Sequence, residues 1–98
     1  MCPPEHFDVT YEINAWMRIA NGPDPERARA QWQALYTILR EEVGADVALV
    51  APQPGLPDMV FTANAGLTKG DWFVPSRFRP VERQGEVAFF IQWMLGNG

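Results

Sequence analysis

The feature that most constrains this fold is a capped amphipathic helix that lies between two strand-like segments. Asp24 is a favourable N-cap residue, and Pro25 and Glu26 suit the first helical turn. Apolar and aromatic residues then recur at spacings of three and four, and Gly44 follows where a C-cap glycine belongs. The recurring residues are Ala28, Trp32, Leu35, Tyr36, Leu39 and Val43. This pattern predicts a helix over residues 25–43 with one face against a sheet.

Short segments with strand character surround this helix. Residues 7–13 alternate apolar and polar side chains, as a half-buried strand does. The apolar positions are Phe7, Val9, Tyr11 and Ile13. Residues 46–50 are apolar and β-branched, and residues 59–61 predict one more short strand. Strands are therefore expected on both sides of the helix.

A hairpin and a second helix complete the pattern. Residues 65–68 and 71–74 predict two strands that turn at Lys69-Gly70, and a loop over 75–85 leads to a helix ending near Gly96. Its expected apolar face consists of Val87, Phe90, Ile91 and Met94. The predicted order β-α-β-β-β-α indicates an α/β architecture. Because a helix in such folds normally leads to another strand, we expect the chain to continue beyond Gly98. A small complete α+β domain is the alternative.

Composition excludes several classes of function. The 98 residues carry a net charge of −4 and a single lysine, which argues against a nucleic-acid or anionic-membrane surface. No apolar run reaches the length of a membrane span. The start of the sequence has no basic or apolar signal region, so a cytoplasmic protein is expected. One cysteine and one histidine cannot supply a typical zinc site, and neither a metal nor another cofactor is expected.

Cys2 and His6 lie four residues apart, and such a pair could in principle form a nucleophile and its base. The simpler interpretation is a flexible N-terminus with an ordinary thiol. The sequence favours the simpler interpretation.

The segment from Gly55 to Asn64 is the best candidate for chemistry. In an extended chain Asp58 and Asn64 share a face, and their oxygens could accept hydrogen bonds from a planar cation. Phe61 could form a wall of the same pocket. The alternative is a plain turn, because Pro-Asp and Asn-Ala-Gly sequences commonly form turns. Spacing alone favours the turn.

Three blocks in the expected order resemble the start of the guanidino-group-modifying enzyme superfamily. They are residues 1–17, residues 55–66 (Gly-Leu-Pro-Asp-Met-Val-Phe-Thr-Ala-Asn-Ala-Gly) and residues 82–86 (Glu-Arg-Gln-Gly-Glu). The superfamily includes arginine deiminases, dimethylargininases, amidinotransferases and arginine dihydrolases, and the bacterial arginine dihydrolase-like branch is most similar. The resemblance implies a partial five-bladed α/β propeller (pentein) of about one and a half blades. It also implies that residues 1–98 are the N-terminal part of a single, incomplete catalytic domain.

The resemblance assigns substrate-binding roles to five residues. Asp58 matches the acidic residue that holds the guanidinium, and Phe61 matches the aromatic residue beside it. Arg83 matches the arginine that binds the substrate carboxylate in dimethylargininases. Asn64 occupies the place of a second, catalytic aspartate in deiminases, and Asn14 lies in a block typical of the dihydrolase-like branch. The nucleophilic cysteine and the histidine of the family are expected beyond Gly98, so no catalytic residue is assigned within the chain.

The implied function is the substrate-binding portion of an arginine hydrolase that cleaves guanidinium C–N bonds. Alternatives are a fragment of a dimethylargininase, deiminase or amidinotransferase, or a truncated arginine-binding or relic protein. The branch usually carries proline where this chain has Ala15, and Asn64 argues against a plain deiminase. The expected partner is a small guanidino compound. The isolated chain is expected to be inactive and to self-associate through exposed aromatic surfaces.

Overall fold

The computed structural model describes residues 1–97, and its longest helix forms where the sequence predicts it. Helix α1 spans Pro25–Thr37 and continues as one wider, π-helical turn over Ile38–Glu42. The Asp24 carboxylate accepts hydrogen bonds from the backbone N–H groups of Glu26 and Arg27, so the predicted N-cap is confirmed. Gly44 has a φ of 72° and ends the helix in the left-handed region.

The predicted hairpin is also confirmed. Strand β1 spans Gly66–Lys69 and pairs antiparallel with β2, Trp72–Pro75, with Leu67 opposite Val74. Gly70 begins the two-residue turn with a φ of 55°, a conformation that glycine adopts without steric penalty. A Cβ atom at Gly66 would collide with the carbonyl oxygen of Val74 and the ring of Phe73. Position 66 therefore requires glycine.

Three predicted strands are wrong. Residues 7–13 keep the alternation of half-buried and exposed side chains, but within residues 1–97 their backbone makes only a turn contact, from Phe7 N–H to the Pro4 carbonyl oxygen, and pairs with no strand. Residues 46–50 form only an isolated contact, in which Ala48 and Val50 exchange hydrogen bonds with Met1. Residues 59–61 fall in and after a 3₁₀ turn, Pro57–Val60. Alternation and apolar content predicted these strands, but a strand also needs a paired neighbour.

A short helix and a longer one complete the chain. Helix α2 spans Val81–Gln84 inside the segment predicted as a loop, and α3 spans Glu86–Asn97. The core consists of Cys2, Val50, Met59, Ala65 and Phe90, with Leu56, Phe73, Phe89 and Trp93 packed against it. The core face of α3 therefore includes Phe90 as predicted. The other α3 residues that pack against the core are Phe89 and Trp93, and not the predicted Val87, Ile91 and Met94.

The apolar face of α1 is not covered. No residue of α1 or of its π-helical turn is buried, and Leu35, Ile38 and Val43 are exposed. The prediction that α1 packs against a sheet is therefore wrong for this structure, because the sheet that residues 1–97 form, β1–β2, packs against α3 instead. Among residues 1–97, no helix has both the length and the apolar character that a membrane crossing requires.

Candidate substrate site

All five residues proposed from the sequence line one cleft of about 520 Å³. One wall comes from the irregular segment 7–17, and the other comes from residues 57–64 and Arg83. The lining residues are Phe7, Val9, Ile13, Asn14, Trp16, Met17, Asp58, Phe61, Asn64 and Arg83. Asp58 and Arg83 are the only charged members of this set. The structure thus brings the predicted residues together, although they are spread along the sequence from Asn14 to Arg83.

Local turns place Asp58 and Asn64 at the edge of this cleft. Gly55 adopts a φ of 76°, and Pro57 then begins the 3₁₀ turn that buries Asp58. A second 3₁₀ turn, Thr62–Asn64, leads into strand β1. The segment from 55 to 64 is therefore a series of turns. The predicted extended strand, in which Asp58 and Asn64 would share a face, does not form. Two successive turns bring the side chains to the same place.

Arg83 is the centre of a buried hydrogen-bond network. Its Nε and Nη2 donate to the two carboxylate oxygens of Glu86, each at 2.9 Å. Nη2 also donates to the backbone carbonyl oxygen of Asp58 at 3.2 Å, and Nη1 donates to Oδ1 of Asn64 at 3.1 Å. Since a guanidinium carries five N–H hydrogens, one hydrogen on Nη1 is left for a ligand. The centroid of the Phe78 ring lies 4.2 Å from Cζ of the Arg83 guanidinium.

Arg83 remains a cation in this buried position. Burial by itself lowers the pKa of Arg83, but its hydrogen bonds to Glu86 and the negative charges of Glu86 and Asp58 outweigh that effect and raise it. The charge is therefore a fixed property of the site. Arg83 is 8% exposed and Glu86 is 0% exposed, so neither charge is screened well by water.

Asp58 adds a second carboxylate to this cluster. Its Oδ2 accepts a hydrogen bond from the Tyr11 hydroxyl at 2.8 Å and lies 3.8 Å from Nε of Arg83. When ionised, two carboxylates and one guanidinium carry a net charge of −1. With Asp58 only 5% exposed, this excess negative charge is directed at the cleft. A site of this kind attracts a cationic group.

Each of the two asparagines that line the cleft, Asn14 and Asn64, has one side-chain group free for a ligand. Oδ1 of Asn14 accepts the backbone N–H groups of Trp16 and Met17, at 3.0 and 3.1 Å. Oδ1 of Asn64 accepts from Arg83. Because arginine only donates, these contacts fix which end of the Asn64 amide faces Arg83. Among the described residues neither Nδ2 group donates a hydrogen bond, so each asparagine offers a donor to a ligand.

Aromatic residues line the apolar side of the cleft. Phe61 meets Phe7 edge to face, with ring centroids 5.6 Å apart. Trp16 is 90% exposed beside them. The predicted position of Phe61 as a wall of the pocket agrees with this geometry.

Cys2 and His6 do not form a catalytic pair. Cys2 is 1% exposed in the core, and burial raises the pKa of its thiol to about 11. A thiol with this pKa is almost entirely protonated near neutral pH and is a poor nucleophile. The expected flexible N-terminus is also wrong, because Cys2 belongs to the core.

Sequence reasoning missed Tyr11 and Glu86. The alternation over residues 7–13 places Tyr11 on an apolar strand face, and Glu86 enters the prediction only as the last residue of the block 82–86. The spacing of Arg83 and Glu86, three residues apart, indicates a helical ion pair once α2 and α3 are known. No signal in the sequence joins Tyr11 to Asp58, which lies 47 positions later.

Known proteins share this sequence and geometry. The bifunctional arginine dihydrolase/ornithine cyclodeaminase AgrE of Nostoc sp. is 56% identical over 99 residues, covering 100% of this chain and 14% of AgrE. The N(G),N(G)-dimethylarginine dimethylaminohydrolase of Mycobacterium tuberculosis is 46% identical and covers 100% of this chain and 32% of the enzyme. The chain belongs to the guanidino-group-modifying superfamily. No protein-family model matches the sequence.

A solved structure in this superfamily has the same fold over the whole chain. It is the N-terminal domain of ArgZ, an arginine dihydrolase from the ornithine–ammonia cycle in cyanobacteria, crystallised as a mutant bound to substrate. The match has a TM-score of 0.90 and 48% identity, and it covers 100% of this chain and 36% of that domain. The chain thus spans about one seventh of AgrE and about a third of the ArgZ domain.

Proposed function

We propose that this chain is the N-terminal, substrate-binding portion of an arginine dihydrolase-like hydrolase. The observation that carries the proposal is the buried cluster of Asp58, Glu86 and Arg83, whose excess negative charge faces a cleft with aromatic walls. Support comes from AgrE and ArgZ, both arginine dihydrolases by name, to which the chain is 56% and 50% identical. Residues 1–98 would form part of one catalytic domain, with a five-bladed α/β propeller as its complete fold.

The reaction proposed for the complete enzyme is the hydrolysis of arginine by two waters to ornithine, two ammonia molecules and carbon dioxide. A thiolate attacks the central guanidinium carbon, and a histidine passes protons to the leaving amine and activates water. Cys2 is too deeply buried for the first role, so both groups would come from outside residues 1–98. This chain would contribute binding and orientation.

The distance between Asp58 and Arg83 refines the roles proposed for them. The resemblance places the guanidinium at Asp58 and the carboxylate at Arg83, which are opposite ends of arginine. Asp58 Oδ2 and Arg83 Nε are only 3.8 Å apart, so the two side chains are adjacent. The groups left free on them, Oδ1 of Asp58 and one N–H of Nη1 of Arg83, therefore suit an ammonium and a carboxylate that share one carbon atom. We therefore propose that the pair binds the α-amino-acid head of the substrate, with Asn14 as a further donor to the carboxylate. Asn64 and Phe61 would lie toward the guanidinium.

The test is a chimera in which this chain replaces the matching segment of the ArgZ N-terminal domain. We expect the chimera to release ammonia and ornithine from arginine. Asp58→Asn should raise KM for arginine at least about 30-fold, because the buried ammonium group of the bound substrate loses the negative charge of Asp58 as its partner. The control is Asp46→Asn, which changes an exposed aspartate outside the cleft. An inactive chimera, or an unchanged KM in Asp58→Asn, would contradict the proposal.

Competing ligands distinguish the two assignments of Asp58. L-Norvaline carries the amino-acid head without a guanidinium, and methylguanidine carries the guanidinium without the head. We expect Asp58→Asn to weaken inhibition by L-norvaline and to leave inhibition by methylguanidine within about twofold. The reverse result would restore the guanidinium to Asp58.

The exposed apolar surfaces support two further proposals. The uncovered face of α1 and the groove between β2 and α3 would be covered by the rest of the domain, and in the isolated chain they would drive self-association. A cytoplasmic location for the complete enzyme fits its proposed small-molecule substrate. Light scattering of the isolated chain tests the first proposal, and a monodisperse monomer would contradict it.

A further inference from the structure

Tyr11 reaches Asp58 from outside the cleft. Its hydroxyl donates a hydrogen bond of 2.8 Å to Oδ2 of Asp58. Asp58 lines the cleft, whereas Tyr11 does not, although its neighbours Val9 and Ile13 do. The tyrosine thus hydrogen-bonds to a residue of the cleft without lining the cleft itself.

This contact leaves one oxygen of Asp58 available. Oδ2 is occupied by Tyr11 and faces Nε of Arg83, while Oδ1 has no hydrogen bond to any of residues 1–97. Every fully buried side-chain oxygen or nitrogen among these residues has a partner, so Oδ1 is accessible. Because Asp58 as a whole is only 5% exposed and lines the cleft, the accessible part of its carboxylate faces the cleft.

We propose that Tyr11 is a positioning residue for the substrate, because it fixes the rotation of the Asp58 carboxylate so that Oδ1 meets the cationic group of the ligand. The inference rests on the function proposed above. It adds a residue that does not line the cleft and to which the motif block that contains it, residues 1–17, assigned no role.

The chemistry of the tyrosine suits this role. Burial, together with the hydrogen bond and negative charge of Asp58, raises the pKa of Tyr11 above its ordinary value. The hydroxyl thus remains a donor throughout the physiological pH range. A donor to an ionised carboxylate forms a stronger hydrogen bond than a neutral pair, which gives this contact weight in setting the geometry.

Arg83 cannot replace Tyr11 in this role. Its Nε–H points to Glu86 at 2.9 Å, and the 3.8 Å separation from Oδ2 of Asp58 is too long for a hydrogen bond. Without the tyrosine hydroxyl, the carboxylate would be free to turn toward Arg83 and to withdraw Oδ1 from the cleft. Substrate binding would weaken while the bond-breaking groups stayed in place.

The experiment is Tyr11→Phe in the ArgZ chimera. We expect KM for arginine to rise about 10-fold or more, as for the loss of a hydrogen bond to a charged group, and kcat to stay within about threefold. Placing 4-aminophenylalanine at position 11 keeps a donor at the same place and should recover most of the lost affinity. The recovery shows a donor effect that a purely steric role would not produce.

Tyr36→Phe is the matched control. Tyr36 is the other tyrosine of the chain, is also half-buried, and accepts a hydrogen bond of 3.1 Å from Arg40 in the π-helical turn that follows α1. Its replacement should leave KM within twofold, and the Tm of both variants should stay near that of the parent chimera.

Three results would overturn the inference. The first is a KM for Tyr11→Phe within twofold of the parent, and the second is a fall in kcat and Tm without a change in KM. The third is failure of 4-aminophenylalanine to recover affinity that phenylalanine loses. In each case an active parent chimera leaves the proposed function standing. An inactive parent chimera would instead remove the proposed function and this inference with it.

Discussion

The side chains of Arg83 and Glu86 form two hydrogen bonds of 2.9 Å inside the folded chain. Glu86 is fully buried and Arg83 nearly so, which makes this ion pair part of both the core and the cleft. The two residues lie three positions apart across the junction of α2 and α3. The pair therefore ties the second half of the chain to the cleft wall that carries Asp58 and Asn64.

Glu86→Gln should destabilise the chain by about 3 kcal/mol, because it leaves the buried cation of Arg83 without its principal partner. Urea unfolding of the chain measures the change. Glu82→Gln, an exposed position in α2, is the control and should change stability by less than about 0.5 kcal/mol. Equal effects of the two substitutions would show that the ion pair does not stabilise the fold.

Asn64→Asp in the chimera should shift the product from ornithine toward citrulline. The amide donates and accepts, and its Oδ1 is already bound by Arg83, so its N–H₂ group is left for a ligand, which under the proposed function is the guanidinium of arginine. A carboxylate there adds a negative charge and removes the donor, which reproduces the aspartate of the deiminases. Amino-acid analysis after complete turnover gives the product ratio. An unchanged yield of ornithine would exclude Asn64 as the residue that selects the product.

The buried thiol of Cys2 predicts how stability depends on pH. Its pKa rises from 9.0 to about 11 on folding because burial disfavours the thiolate. Folding therefore favours the protonated form, and the corresponding stability is complete below about pH 9 and is lost as the pH rises toward 11. Cys2→Ala should reduce this loss, and native Cys2 should react slowly with a thiol reagent at pH 7.5. Rapid labelling of the folded chain would contradict the prediction.

Two glycines should respond to alanine with opposite signs. Gly66→Ala forces a methyl group against the Val74 carbonyl oxygen and the Phe73 ring, and should destabilise the chain by about 1–3 kcal/mol. Gly96 lies in α3 with no atom within 4 Å of an added Cβ, so Gly96→Ala should stabilise by about 0.5–1 kcal/mol. Thermal unfolding of both variants measures the difference. A stable Gly66→Ala variant would show that the hairpin can separate locally.

Features that depend on near neighbours in the chain were predicted well. The N-cap at Asp24 and the turn at Gly70 formed as expected, because capping and turn geometry involve residues only a few positions apart. The three wrong strands depended on partners far along the sequence. Their periodicity survived as an alternation of side-chain exposure in residues 7–13, without the backbone pairing that makes a strand.

The sequence by itself determined helix α1 and the β1–β2 hairpin through local propensities, and its motif blocks singled out five of the ten residues that line the cleft. Only the tertiary structure decided that Tyr11 supports Asp58 and that Glu86 neutralises Arg83. It also showed that Oδ2 of Asp58 and Nε of Arg83 lie 3.8 Å apart, which supports the proposal that both residues bind the same end of the substrate. The physical reason is that hydrogen-bond partners and burial depend on which distant segments meet. No local pattern records that Tyr11 will approach a residue 47 positions away.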